Sequence, residues 1–376
     1  MRILATAGNI DALIAQVRLR LPLEALARHA GWSVTWRSFH ECTHRDLRAN
    51  DVLIVQRGAT GRVLQLEQAM QALGGAVVYE IDDMLTEIAP HISQHAAVIA
   101  RLPWLKRCMA CADVVTVSTS RLRDAMVPSG REVLIVPNYA FQDEDRPLPT
   151  AEADAPVHLL VASSDNLMAE DLIAPLAGLL SDRCRLVAVG PPARMLEAAG
   201  LRVECHPLLP RAKFLELARS LSNAVAVIPL ENSRFAACKS AVKWFDYAEA
   251  GIPTLASAVP PYADVIQDNV TGALVPPGAE AWRRALLKAI GDPAWRETVR
   301  AAARAAVRRE HMMSRSVTAW QVALETAASH ARSRPTEAHG AWQRLRWAMA
   351  AAIDDAAVVL RRYNRQRLDR RLKSPP

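Results

Sequence analysis

The stretch "CKSAVKWFDYAEAGIPTLAS", Cys238 to Ser257, decides how this chain folds, because a helical pattern runs straight into a strand pattern within it. Ala241, Trp244, Phe245 and Ala248 recur at helical spacing and form one apolar stripe. Lys239, Lys243 and Asp246, four and three apart, share a second stripe of a helix predicted over residues 239–250. Gly251 suits the left-handed residue past a helix end, and Pro253 stops the helix and opens the strand "TLAS". Two lysines at i,i+4 repel by roughly 0.2–0.5 kcal/mol unless an anion lies between them. The first helical turn also offers free backbone N–H groups and the positive end of the dipole, so Lys239, Ser240 and Lys243 make a predicted anion site. On an isolated helix the same residues read as a solvated stripe, with Asp246 the i,i+3 partner of Lys243. Here the helix lies between two apolar strands, "AVAVIPL" and "TLAS", and starts just after a strand C-terminus, where open α/β sheets bind ligands. That context favours phosphate at the helix start and the paired hydroxyls of a ribose at Asp246, the two ends of a nucleotide diphosphate.

Working outward, short β-branched runs alternate with amphipathic helical patterns through most of the chain, which predicts α/β layers with parallel sheets. The first half offers "RILAT", "SVTWRS", "DVLIVQ", "AVVYEI", "DVVTVS" and "EVLIVP", and the second "VHLLVAS", "CRLVAVG", "VECHP", "AVAVIPL", "PTLAS" and "GALVPP". Between them "QDEDRPLPTAEADAP" has no apolar period and reads as a linker. We therefore expect domains at residues 1–142 and 157–330, followed by a helical tail at 341–376. In that tail Trp342, Leu345, Met349, Ala352, Ala356, Val359 and Tyr363 alternate three and four apart.

At 376 residues, half of them apolar, the chain can fill two ordinary cores. The opening "MRILATAGNIDALIAQ" reads as a first strand and loop rather than a signal peptide, and no run of eighteen apolar residues occurs, so a cytoplasmic protein is expected. The six scattered cysteines suit free thiols, and Cys108–Cys111 reads as a pair of core cysteines on a helix, since no second pair stands at zinc-finger spacing. Without an export signal the sequon at Asn269 carries nothing. The formal net charge of +7 is concentrated in the tail, which holds nine Lys/Arg against three Asp. A basic amphipathic helix with Trp342 and Trp347 can lie on anionic lipid, pair with another helix or extend into solvent; the membrane surface ranks first. Nucleic acid is not expected, because the tail lacks interleaved stacking residues and the body is nearly neutral.

The run "IPLENSRFAACKSAVKWFDYAEAGIPTLASAVPPYADVIQDNVTGALVPP" resembles the donor-binding half of family 4 glycosyltransferases. "VVYEIDDML", "ADVVTVSTSRLRDAM", "VLIVPNYAF" and "DNVTGALVPPGAEAWRRAL" are similar to other parts of that family in order and spacing. The resemblance covers residues 1–330 in layout and is specific from about 225 to 280. It implies the GT-B fold, an α/β architecture of two Rossmann-like domains facing a cleft, here followed by the C-terminal amphipathic helix. It further implies sugar transfer from a nucleotide-sugar donor to a glycan or lipid-linked acceptor, retention at the anomeric carbon, no cofactor and no essential metal.

Many members carry two Glu separated by seven residues. Counting back from Gly251, the second position falls on Asp246 and the first on Cys238, so the ribose carboxylate survives and the first acid does not. Members also hold the diphosphate with an Arg and a Lys after the first strand of the second domain, where this chain has "SSDNLMAEDL". Lys239, Lys243 and Arg234 are expected to supply those charges instead. On the acceptor side the resemblance points to His91 as a contact to the donor sugar, with Asp83 the other candidate; Asp82 and Asp83, adjacent at a strand end, should point opposite ways. His91 and His95 are four apart, but no third ligand stands near them. The expected function is transfer of sugar into a surface polysaccharide or glycolipid at the cytoplasmic face of the membrane. The alternative is a non-catalytic nucleotide-sugar-binding protein with the same fold. An oxidoreductase is disfavoured, because neither "ATAGNIDA" nor "AVGPPARM" supplies GxGxxG.

Overall fold

The computed structural model describes residues 1–140, 155–164 and 170–334; the linker and the basic tail 341–376 lie outside the described residues. All twelve expected strands form, within one or two residues of the runs quoted above. β1 (Arg2–Ala7), β2 (Ser33–Ser38), β3 (Val52–Gln56), β4 (Ala76–Glu80), β5 (Val114–Val117) and β6 (Glu132–Ile135) make a parallel sheet of order β2-β1-β3-β4-β5-β6. β7 (Val157–Ala162), β8 (Cys184–Val189), β9 (Val203–His206), β10 (Ala224–Ile228), β11 (Thr254–Ser257) and β12 (Ala273–Val275) make a second, of order β12-β11-β10-β7-β8-β9. Both are doubly wound. Strand order reverses between β1 and β3 in the first sheet and between β7 and β10 in the second. The central strands are buried on both faces, which is why they read as continuous apolar runs rather than alternating ones.

The chain divides into two compact units. One comprises Met1–Asp82, Ala100–Val136 and the described residues from Val317; the other comprises Asp83–Ile99 and Pro137–Ser316. The sequence reading carries the second domain on to residue 330, whereas the helix Met313–Ser333 completes the core of the first unit. Its Trp320, Ala323, Leu324 and Ala327 are fully buried against Ile3, Ala5, Leu23, Leu26, Ile54 and Val78, and the Trp320 indole Nε1 donates to the Arg18 carbonyl at 3.0 Å. In the second unit one core lies on each face of the sheet, and the larger holds Trp244, Phe245, Tyr247 and Ala248 of the helix Val242–Ala250.

All six cysteines are free thiols. Cys108 and Cys111 lie on the helix His95–Cys111, where burial and the neighbouring Glu67 raise both, Cys111 to about 12, so little thiolate forms. Cys205 is exposed. A maleimide should therefore label Cys205 at least about tenfold faster than Cys108 or Cys111 in the native protein, with the difference vanishing in denaturant. Peptide mass spectrometry of a labelling time course checks this.

Candidate functional site

The second sheet reverses order between β7 and β10, and residues following these strands border the crevice where such sheets receive ligands. Ser163 follows β7 directly. Its carbonyl passes so close to Gly190, which has φ +83° at the end of β8, that a Cβ there would sit 2.2 Å from the oxygen. Only glycine fits that close approach, so the backbone fixes Ser163 in place. The helix Val242–Ala250 starts in the crossover from β10 to β11, and Lys243 in its first turn sends Nζ to within 3.2 Å of Ser163 Oγ. The cation reaches the switch point, at the strand end where members of the resembled family carry an arginine and a lysine and this chain has "SSDNLMAEDL".

The helix is shorter than expected. Residues 234–250 form two pieces, Arg234–Ala237 and Val242–Ala250, with Ala241 as the N-cap of the second and no side-chain cap on its first N–H groups. Lys239 and Ser240 thus lie in the connection, not in the first turn, and the predicted stripe of Lys239, Lys243 and Asp246 on one helix does not form. Ser233 caps the first piece by accepting from Ala236 N, which starts a separate turn. The C-terminal end matches expectation: Gly251 is left-handed at φ +76°, with Gly251 N bonded to Ala248 O and Ile252 N to Tyr247 O.

Asp246 is buried, and its Oδ1 accepts from Nε and Nη2 of Arg211, the Nε bond being 2.9 Å. Arg211 is buried too; its Nη2 also donates to the Tyr139 carbonyl at 2.9 Å and its guanidinium lies 5.7 Å from the Tyr139 ring centroid. Burial pushes the Asp246 carboxyl above the usual carboxylate range, while the Arg211 charge pulls it back. Arg211 was missed in the sequence, being thirty-five residues from its partner with no shared period. The signal it did offer was its place at the start of the helix Arg211–Ser220, following Pro210.

The remaining candidates fall in the same unit. Asp83 Oδ1 lies 3.8 Å from Lys239 Nζ, which also sits 4.7 Å above the Phe235 ring. Arg234 pairs with Glu87, His91 Nδ1 is 3.6 Å from Glu231 Oε2, and Ser240 Oγ accepts from Asn138 Nδ2 at 2.6 Å. Asp82 pairs instead with Arg57 in the first unit. His91 precedes the helix that His95 begins, so the two do not share a helix face. Cys238, at the position of the family's first acid, is buried with Sγ 3.6 Å from Met84 Sδ. Beyond β10, β11 and β12 a cavity of about 270 Å³ is lined by Leu230, Glu231, Asn232, Ser257 and Trp282. Among the described residues no group of three His, Cys, Asp or Glu is placed to hold a metal ion. No helix there is long and apolar enough to cross a membrane.

The segment that carries Lys243 and Asp246 is also the one that matches a known family: residues 243–306 fit the family model described as glycosyl transferases group 1. No curated protein matches the chain in sequence. Solved structures are similar over nearly the whole chain. Sucrose-phosphate synthase from Thermosynechococcus elongatus aligns with a TM-score of 0.62 at 17% identity, covering 88% of this chain and 100% of its own. Anabaena Alr3699/HepE in complex with UDP-glucose gives 0.60 at 15%, with 88% and 100% covered. A glycosyltransferase from Rickettsia africae ESF-5 gives 0.61 at 10%, with 86% and 98% covered. The chain has the two-sheet GT-B fold of these structures, and its residues 243–306 are similar to group 1 glycosyl transferases.

Proposed function

We propose that this protein is a family 4 glycosyltransferase that moves a sugar from a nucleotide-diphosphate sugar to a glycan or lipid-linked acceptor in surface polysaccharide assembly. One observation carries the reading: Lys243, inside the matched segment, stands at the switch point of the second sheet beside Ser163. As the glycosidic bond breaks, negative charge builds on the departing diphosphate, and a cation at an uncapped helix start is suited to absorb it. Lys239 adds charge from the connection and Arg234 from the short helix before it, Ser240 adds a hydroxyl, and Asp246, oriented by Arg211, takes the ribose hydroxyls. Asp83 and His91 are assigned to the sugar side. Retention and metal independence follow from the family resemblance alone, and a place at the inner face of the membrane from the basic amphipathic sequence of residues 341–376 and a lipid-linked acceptor. The HepE complex with UDP-glucose supports a nucleotide-sugar donor.

Calorimetric titration with UDP, GDP, dTDP and CMP tests the site. One nucleotide should bind, and Lys239→Ala and Asp246→Ala should each weaken it about tenfold or more, as expected for loss of a charge-assisted hydrogen bond. No binding by the folded protein would refute the proposal. A second reading, a nucleotide-sugar-binding protein without turnover, draws on Cys238: a thiol buried against Met84 cannot replace a carboxylate. It predicts the same binding with no release of nucleotide diphosphate from any donor.

A further inference from the structure

In the first unit the helices Gly61–Ala72, His95–Cys111 and, from Val317 on, Met313–Ser333 end together at the N-terminal edge of the sheet. With Asp113 and Arg131, which precede β5 and β6, their last turns enclose a cavity of about 770 Å³. This is the edge opposite the strand C-termini, so the cavity is no part of that sheet's substrate crevice. Helix C-termini present unpaired carbonyls and attract cations, which is the plain reading of the arginines gathered there. The bonds limit that reading. Arg334 is fully engaged, donating to the Gln71 and Gly75 carbonyls and holding Asp113 through bonds of 2.6 and 2.7 Å. Gln71 Nε2 donates to the Cys111 carbonyl at 2.7 Å. Arg131 meets the Ala110 carbonyl at 2.7 Å with Nε alone, which leaves both terminal nitrogens over. Arg107 lies over the Trp104 ring at 5.2 Å and caps no carbonyl. Glu132 faces His330 Nε2 at 3.2 Å. Arg107 and Arg131 are both exposed, and neither faces a carboxylate among the described residues.

We propose that this cavity binds a soluble phosphomonoester whose organic part carries hydroxyl groups, with the phosphate on Arg107 and Arg131. Two unmatched guanidinium groups suit a phosphomonoester, which carries a charge of about −1.5 to −2 at neutral pH, better than a single carboxylate. Their planar forks also match phosphate oxygens two at a time. The carbonyls that would repel an anion at these helix ends are the ones already bonded by Arg131, Gln71 and Arg334. The volume is far more than a phosphate fills and lies in the range of pockets that hold small organic ligands. For the body of such a ligand the lining offers the exposed Gln68 amide and the Ser333 hydroxyl beside the apolar Leu64 and Ala110. The whole site belongs to the first unit, and the proposal does not depend on the donor site.

Arginine labelling of the full chain with phenylglyoxal, read by peptide mass spectrometry, tests it with glucose 6-phosphate as the probe. At a concentration about ten times its Kd, the probe should slow labelling of Arg107 and Arg131 about tenfold. Arg202, almost fully exposed in the second unit, should label at an unchanged rate, and glucose should protect neither site. Calorimetry with the same probe should show affinity falling about tenfold in Arg107→Gln and about a hundredfold in Arg107→Gln/Arg131→Gln, as charge-assisted hydrogen bonds are lost. Both side chains are exposed, so the double variant keeps the fold. Its nucleoside diphosphate affinity should equal that of the wild type, which separates this result from any failure at the donor site. Labelling of Arg107 and Arg131 at the same rate with and without glucose 6-phosphate overturns the proposal. So does equal affinity of the double variant and the wild type for the probe. Protection by inorganic phosphate as strong as by glucose 6-phosphate overturns it too, since the cavity would then hold an adventitious ion only.

Discussion

Lys243→Ala should lower kcat for sugar-nucleotide turnover by about a hundredfold or more and weaken nucleotide diphosphate binding about tenfold, the larger effect falling on the chemical step. The asymmetry follows from where the charge sits. In the bound donor the diphosphate is already anionic and Lys243 is one of several groups around it. In the transition state the bridging oxygen takes on a further share of charge, and a cation beside the switch point responds to that increment. Lys243→Arg should recover binding better than turnover, because a planar fork cannot occupy the place of a compact ammonium beside Ser163. Steady-state kinetics with the donor identified by calorimetry, with calorimetry on each variant, separate the two effects. Unchanged kcat and affinity in Lys243→Ala would refute the site.

Arg211→Met should cost about 3–5 kcal/mol of stability, because it leaves the Asp246 carboxylate buried without its counter-charge. The loss depends on pH. Burial already raises Asp246 above its unfolded value of 3.8, and without Arg211 it rises further. An acid raised in the folded state carries no penalty below its unfolded pKa, and the penalty grows as pH climbs toward the folded one. The deficit should therefore be small in acid and full at neutral pH, as urea unfolding of wild type and variant across that range would show. Arg211→Met/Asp246→Asn should recover much of it, since the charge itself is then gone. A deficit independent of pH would mean that Arg211 acts through its contact with the Tyr139 ring and carbonyl, not through Asp246.

The strands were legible because a buried parallel strand is a continuous run of β-branched residues and needs no partner to be recognised. The end of helix Val242–Ala250 was legible for a similar reason: Gly251 and Pro253 act locally. Its start was not. Alanine and serine at 240–241 carry helical periodicity as well as a break, and Ser233, nine residues before the second helix, started a separate turn. Arg211 and Asp246, or Lys243 and Ser163, meet only because distant strands lie side by side. Pairings of that kind have no signature in spacing, so the sequence could name one partner and not the other. Nor could the amphipathic period of residues 313–333 say which of two cores it would fill.

That last helix bears on how the chain is made. The core of the first unit closes on Trp320 and Leu324, and the 180 residues from Pro137 to Ser316 leave the ribosome before these do. At about 5–20 residues per second the delay is on the order of ten to forty seconds. Through that interval Leu19, Leu23 and Leu26 have no lid, while all the described strands of the second sheet are already available. The later half of the chain can thus finish folding before the earlier half, and a nascent chain stalled before residue 317 presents an open apolar face to chaperones.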